Sequence, residues 1–172
     1  MKLNVDRLLV GLIVVLAGVL VWVVTPTLEQ HVTVPGDTAP DFRVLTDRGR
    51  TVTPKDFGGK VLVLNFWASW CPPCIEETPS LNAFADQMGP KGVVVLGVSI
   101  DRNEESYKKF KAKYGITFDT SDDPEANVST SYGTFQIPET YIIDQSGKVV
   151  EKIISNQNFM DPEFVQHINK ML

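Results

Sequence analysis

The chain has 172 residues, 43% of them hydrophobic and 22% charged, with a formal net charge of −5. This composition is ordinary for a globular protein, and the acidic balance excludes a typical nucleic-acid-binding protein, because such proteins need a basic surface. The two cysteines are too few for a secreted scaffold that is held together by several disulfides.

The first 25 residues are predicted to be a membrane anchor. Residues 8–24 carry no charged side chain and would form a helix of roughly 25 Å, at the short end of what crosses a bilayer. Lys2 and Arg7 precede this run, and the positive-inside rule then places the rest of the chain outside the cytoplasmic membrane, in the periplasm of a bacterium with two membranes. A cleaved signal peptide and a buried core helix are the alternatives.

The next segment, residues 26–40, is punctuated by prolines and is predicted to be a tether to one domain, residues 41–172. Strands are predicted from apolar runs that are bounded by turn residues, over residues 42–45, 50–53, 61–67, 93–100, 140–143 and 149–154. Helices are predicted from apolar spacing and capping residues, over residues 72–88, 104–114, 123–133 and 161–172. A strand–helix–strand unit makes a parallel pair, and the closing hairpin adds antiparallel strands. The predicted class is therefore α/β, with a mixed central sheet flanked by helices.

Both cysteines lie where the predicted strand 61–67 meets the predicted helix 72–88, in the sequence Phe-Trp-Ala-Ser-Trp-Cys-Pro-Pro-Cys. Cys71 is expected at the helix N-terminus, where unpaired N–H groups and the helix dipole lower the pKa of a thiol and favour the nucleophilic thiolate. Cys74 lies one turn further in, and the spacing lets the two sulfurs bond. One cysteine would then attack a disulfide, and the other would resolve the mixed disulfide. An inert buried dithiol and half of a zinc site are the other interpretations.

The Trp-Cys-Pro-Pro-Cys sequence after a buried strand resembles the active site of the thioredoxin superfamily. Three further features resemble its TlpA, ResA and CcmG branch, namely Pro79, Ile137-Pro138 just before a strand, and an extra stretch around residues 119–133. The resemblance covers about residues 36–172. It implies a thioredoxin fold and a membrane-anchored, extracytoplasmic thiol–disulfide oxidoreductase, of a type that often serves as a reductant in cytochrome c maturation.

The resemblance also implies a proton-handling group. Glu77 matches the Cys-x-x-Cys-x-x-Glu pattern of ResA-like proteins, in which the acid handles the proton of the buried thiol. The alternative is a solvated acid that favours the helix start electrostatically. Asn65 stands where typical thioredoxins carry a buried Asp, and since an amide cannot take a proton, this favours Glu77 as the base; a satisfied core amide is the alternative. Glu76 is expected to point away and to play no part.

The predicted substrate-binding residues come from two loops. Pro138 is expected to be the cis-proline whose loop faces the cysteines, with a plain trans turn as the alternative. A cis bond would expose the backbone of Ile137, so that a substrate strand could pair with it. Glu139 follows, as in the CcmG version of this loop, where the acid lies near the cysteines. Trp70, directly before the first cysteine, is expected to shape the exposed rim.

The predicted function is reduction of oxidised protein thiols, with apocytochrome c as a candidate client and a membrane thiol reductant as the electron donor. The redox-active disulfide is the only redox group predicted, with no further cofactor, no metal and no nucleic-acid partner. Pro72 and Pro73 have no N–H to stabilise a Cys71 thiolate. A reduction potential nearer thioredoxin's roughly −270 mV than DsbA's roughly −120 mV is therefore expected.

Four other functions stay open at the level of the sequence. A disulfide oxidase or isomerase would have a higher reduction potential. A Sco-like copper metallochaperone would need Cys-x-x-x-Cys and a distant His, and the chain offers His31 and His167. A peroxiredoxin would need a Thr where Ala68 stands, and a redox-inactive docking module would have no exchangeable thiols.

Overall fold

Helix α1 (Lys2–Leu28) forms the first of two compact units in the computed structural model, which describes residues 2–28 and 32–172. Its central part, Asp6–Val23, has a mean hydropathy of 2.3, and none of it is buried. By length and composition this helix can cross a membrane, as a signal sequence also can. The predicted anchor, residues 1–25, ends before the helix does.

The second unit begins at Val32, inside the segment 26–40 that is predicted to be a tether. The Thr33 side chain is buried, and its amide donates a hydrogen bond to the carbonyl of Tyr132 at 3.0 Å. The end of the predicted tether is therefore part of the folded domain, because its backbone pairs with a segment far away in the sequence. Residues 29–31 of the predicted tether lie outside the described residues.

A five-stranded mixed sheet, in the order β5-β4-β3-β6-β7, forms the centre of the second unit. Its strands are β3 (Val61–Trp67), β4 (Val93–Ser99), β5 (Asp119–Asp122), β6 (Glu139–Ile143) and β7 (Val149–Ile154), and a separate hairpin contains β1 (Val44–Leu45) and β2 (Thr51–Val52). Strands β3, β4 and β5 are parallel, whereas β6 and β7 run antiparallel to their neighbours. Every residue of β3 is buried, as expected for a central strand that is covered on both faces. The predicted α/β class with a mixed sheet is confirmed.

Strand β5 is the strand that the sequence does not predict. Its residues, Asp-Thr-Ser-Asp, have low intrinsic strand propensity apart from the threonine. It forms at the sheet edge, where it pairs with β4 and where Arg48 and Arg50 bind the Asp119 carboxylate at 3.0 and 2.7 Å. Contacts with distant residues thus stabilise a strand that local propensity does not favour.

Four helices complete the unit, namely α2 (Pro72–Met88), α3 (Glu104–Tyr114), α4 (Asn127–Ser131) and α5 (Pro162–Asn169). The predicted bounds of α2 and α3 are confirmed. Helix α4 begins later than its predicted start at Asp123, although the Asp123 carboxylate accepts hydrogen bonds from the amides of Asn127 and Val128 at 3.1 and 2.8 Å. The delay arises because a turn ends at Ala126, whose φ of 54° is left-handed, before the helix starts.

The core of the unit holds the cysteines at one end of β3. Helices α2 and α5 contribute aromatic side chains, including Phe84 and Phe164, to a cluster on one face of the sheet. A second cluster contains the two cysteines together with Trp67, Tyr107 and Phe110. The Trp67 ring lies 5.7 Å from the Tyr107 ring and 4.7 Å from the Phe110 ring. This aromatic packing fixes the end of β3, from which the cysteine segment departs.

We expect Gly97→Ala to lower the free energy of unfolding by about 1–3 kcal/mol, because it overpacks the core. A Cβ atom at Gly97 in β4 would lie 2.9 Å from the Phe118 ring and 3.0 Å from Trp67 Nε1. The measurement is urea unfolding of the full-length chain in detergent. Gly89→Ala is the matched control, because a Cβ there meets nothing within 4 Å and the backbone is already helical. Equal losses in the two variants would contradict the packing argument.

Candidate active site

The disulfide between Cys71 and Cys74 lies at the N-terminus of α2. After β3 the chain turns, and the Cys71 amide donates to the Ala68 carbonyl at 3.2 Å. Cys71 is the N-cap residue, and its Sγ accepts a hydrogen bond from the Cys74 amide at 3.3 Å. Pro72 and Pro73 have no N–H, so this is the first amide of the helix that can reach the sulfur. The predicted placement of both cysteines is confirmed.

Both cysteines are largely shielded in this oxidised state. Cys71 is 3% exposed and Cys74 is 1% exposed. Trp70, directly before them, is 64% exposed and forms part of the rim, as the sequence predicts. In the oxidised state the sulfurs are therefore nearly inaccessible to solvent, whereas the neighbouring Trp70 is exposed.

That facing loop contains Ile137 and Pro138, and the peptide bond between them is cis. The Ile137 carbonyl oxygen lies 3.7 Å from Cys71 Sγ. A disulfide sulfur carries no proton, so this is a contact in the oxidised state, whereas a Cys71 thiol could donate to the same oxygen. Within the described residues, the Ile137 amide has no hydrogen-bond partner. The loop thus offers a free backbone donor next to the reactive sulfur.

Glu77 is the titratable group that helix α2 brings into the core beside the cysteines. It is 3% exposed, and its position three residues after Cys74 places both on one helical face. Its Oε1 accepts a hydrogen bond from Asn65 Nδ2 at 2.8 Å, and its Oε2 accepts one from the Gln157 amide at 3.3 Å. Burial raises the pKa of Glu77 to about 7, although both hydrogen bonds oppose the shift. Asn65 also donates to Thr140 Oγ1 at 2.9 Å, so it is both a satisfied core amide and a partner of Glu77.

Glu139 does not lie on the substrate-facing surface that the sequence suggests. Its side chain is 0% exposed and pairs with Lys152 Nζ at 2.6 Å, while the Tyr141 hydroxyl donates to the same oxygen. Its other oxygen, Oε2, has no partner among the described residues. Glu139 therefore lies directly after Pro138 in the chain but does not itself reach the surface.

A groove of about 400 Å³ opens between Trp70 and Ile137. Phe135, which is 70% exposed, forms another part of its wall. The remaining lining is contributed by small or medium-sized side chains, namely Ile100, Ala126, Ser129, Thr130, Thr134 and Gln136. Sequence reasoning missed Phe135, and the available signal was an aromatic residue in the polar stretch before Pro138.

A buried carboxylate that the sequence analysis also missed anchors the segment before the cysteines. The Asp101 side chain is buried and accepts hydrogen bonds from the Ser69 amide at 2.8 Å, the Ser69 hydroxyl at 2.7 Å and the Ser99 hydroxyl at 2.8 Å. Asp101 therefore ties the β3–α2 connection to the end of β4.

The described residues contain no group of three or more His, Cys, Asp or Glu side chains placed to hold a metal ion. His167 Nε2 lies 3.3 Å from Glu151 Oε2 on the neighbouring strand β7, and His31 falls outside the described residues. Within the described residues, His167, one of the two candidates for the distant His of a copper site, is therefore next to Glu151 and is not grouped with the cysteines.

Three comparisons place the chain among known proteins. Residues 35–152 match the AhpC/TSA family. The chain is 36% identical over 122 residues to the thiol-disulfide oxidoreductase ResA of Bacillus thuringiensis (strain Al Hakam), covering 71% of this chain and 70% of the relative. It is 35% identical over 144 residues to ResA of Geobacillus thermodenitrificans, covering 83% and 81%. A crystal structure described as the thiol:disulfide interchange protein DsbE from Chlorobium tepidum is similar with a TM-score of 0.75 at 31% identity, covering 81% of this chain and 98% of that one.

The raised pKa of Glu77 predicts a stability that falls with increasing pH. The folded state binds more protons than the unfolded state between the ordinary value of 4.5 and the folded value of about 7. The stabilisation is therefore complete below 4.5 and is lost as the pH rises through 7, by up to about 3 kcal/mol. Unfolding of the oxidised full-length chain in detergent, compared with Glu77→Gln at each pH, measures this difference. Parallel stability curves for the two proteins would contradict the shift.

Proposed function

Because this chain belongs to the AhpC/TSA family, as a thioredoxin-like thiol–disulfide oxidoreductase of the ResA and CcmG type, we propose that it reduces protein disulfides outside the cytoplasm from a membrane anchor. The observation that carries the proposal is the disulfide at the N-terminus of α2 with the buried Glu77 on the same helical face. The exposed apolar helix α1 supports the anchor, and Lys2 and Arg7 support its orientation.

The reaction begins with the reduced pair. The Cys71 thiolate attacks one sulfur of the client disulfide, so that a Cys71–client bond forms and the client S–S bond breaks. The first client thiolate takes a proton and leaves as a thiol. Cys74 then loses its proton to Glu77, and the Cys74 thiolate attacks Cys71 Sγ. This step restores the Cys71–Cys74 disulfide and releases the second client thiolate, so the client gains two electrons and the pair loses two.

Glu77 suits the proton step because of its environment. A general base works best when its pKa lies near the operating pH, and burial raises the pKa of Glu77 to about 7. Asn65 cannot accept a proton, but its hydrogen bond holds the Glu77 carboxyl in place at 2.8 Å. The resemblance to ResA-like proteins supports the same assignment.

The substrate side of the site suits an extended polypeptide. The unpaired Ile137 amide can hydrogen-bond to a client backbone, as in β-strand addition. Trp70 and Phe135 form exposed aromatic walls of the adjoining groove and would contact apolar side chains next to the client cysteine. Apocytochrome c is the client that the resemblance favours. A membrane thiol reductant must then return two electrons to the disulfide.

Peroxide reduction is the other activity that the AhpC/TSA family name suggests. Ala68 is buried three residues before Cys71 and supplies no hydroxyl. Cys71 is instead paired with a resolving cysteine one turn away. Both observations favour dithiol–disulfide exchange over peroxide reduction.

We expect the Cys71–Cys74 pair to have a reduction potential nearer roughly −270 mV than roughly −120 mV, because Pro72 and Pro73 leave a Cys71 thiolate with fewer amide donors. Equilibration of the full-length chain with redox buffers of known poise, followed by thiol alkylation, measures the potential. A value above about −180 mV, in the range of the disulfide isomerases, would exclude the reductant role.

We expect Cys74→Ser to accumulate a mixed disulfide with clients through Cys71, because no second thiol can resolve it. Mass spectrometry of the trapped complexes from membranes identifies the client, and Cys71→Ser is the control that should trap nothing.

Glu77→Gln should slow release of the client in the wild-type dithiol background on the order of a hundredfold at neutral pH, since the general base is lost. Glu76→Gln is the matched control on the exposed face of the same helix. Unchanged release by the Glu77 variant would contradict the assigned base.

A further inference from the structure

A short segment between β7 and α5 covers Glu77. This cover segment, residues 155–159, begins at Ser155, whose φ of 77° turns the chain sharply after β7. The Gln157 amide donates to Glu77 Oε2 at 3.3 Å, so the backbone of the segment lies directly against the buried carboxyl. At the far end, Phe159 is fully buried in the cluster shared by α2 and α5.

Two side chains of α2, those of Glu76 and Ser80, hydrogen-bond to the cover segment. Glu76 Oε2 accepts a hydrogen bond from Asn156 Nδ2 at 3.0 Å. Ser80 Oγ donates within the helix to the Glu77 carbonyl at 2.8 Å and accepts a hydrogen bond from the Phe159 amide at 3.2 Å, and it also lies 3.3 Å from the Gln157 carbonyl oxygen. Glu76 and Ser80 lie on either side of Glu77 along the helix, and the segment is therefore fastened on both sides of the carboxyl that it covers.

Exclusion of solvent is the dominant influence on the pKa of the Glu77 carboxyl. Its carboxyl oxygens contact the Asn65 amide from β3 and the Gln157 amide from the cover segment, neither of which is charged. Thr140 on β6 is linked through Asn65 and is also uncharged. On α2, Cys74 is bonded to Cys71 in the oxidised chain, and Glu76 faces solvent. No cationic or anionic group is among the causes that shift Glu77, and burial is the largest of them.

We propose that Glu76 and Ser80 are positioning residues that fasten the cover segment over Glu77 and thereby keep water from its carboxyl. The inference rests on the proposed function only for the role of this arrangement in catalysis, because a shielded carboxyl is the form suited to exchange a proton with the Cys74 thiol. Glu76, which sequence reasoning assigns no part, acts here through a hydrogen bond rather than through chemistry.

The test is an infrared pH titration of the oxidised full-length chain in detergent, which follows the protonated carboxyl band that Glu77→Gln removes. In the double variant Glu76→Ala/Ser80→Ala, we expect the midpoint of this band to fall by about one pH unit or more toward the ordinary value, because water regains access to the carboxyl. Hydrogen exchange at the Gln157 amide should accelerate in the same variant. A midpoint that stays at its wild-type value would overturn the proposal.

The matched control is Glu76→Gln/Ser80→Thr, which removes the negative charge of residue 76 but keeps both hydrogen-bonding groups. Its midpoint should stay at the wild-type value, and an equal fall would show that charge, and not the fastening, sets the titration. Asn156→Ala removes the hydrogen bond between the cover segment and Glu76 by changing the cover segment instead of α2. It should also lower the midpoint. The titration uses no client protein. If Glu77 proved to play no part in client release, the titration would therefore still show whether Glu76 and Ser80 keep water from its carboxyl.

Discussion

The hydrogen bond from the Asn65 amide to the Glu77 carboxyl, 2.8 Å long, joins the central strand to the helix that carries both cysteines. A buried carboxyl needs such a partner, because an unpaired polar group in the core costs free energy. The hydrogen bond favours the charged form and burial favours the neutral form, and burial dominates, so the pKa of Glu77 stands at about 7. This balance, more than the cysteines alone, suits the site to exchange protons with thiols near neutral pH.

The centre of the site could be predicted because it is local in sequence. The buried run of β3, the prolines at the start of α2 and the two cysteines follow one another directly, and Glu77 lies one turn after Cys74. Capping and apolar periodicity specify these elements without help from distant residues. The bounds of β3 and α2 accordingly coincide in sequence and structure.

The surroundings of the site could not be predicted, because they depend on contacts between distant residues. Asp101 reaches Ser69 from just beyond the end of β4, and the cover segment reaches α2 from beyond β7. Glu139 illustrates the limit at a single residue. The sequence starts the strand at residue 140, but β6 starts at Glu139, and alternation along the strand then directs this side chain to Lys152 and Tyr141 under the loop.

One backbone hydrogen bond links the two halves of the site. The Ser155 amide donates to the Pro138 carbonyl at 3.0 Å, so the segment over Glu77 is attached to the loop beside Cys71. Peptide binding at that loop and proton binding at Glu77 therefore both involve the cover segment. Thermodynamic linkage is reciprocal, so any factor by which a bound peptide changes the proton affinity of Glu77 is the factor by which protonation changes peptide affinity. Wherever that factor differs from one, the pH of the surrounding solution would tune how tightly the domain retains a bound peptide.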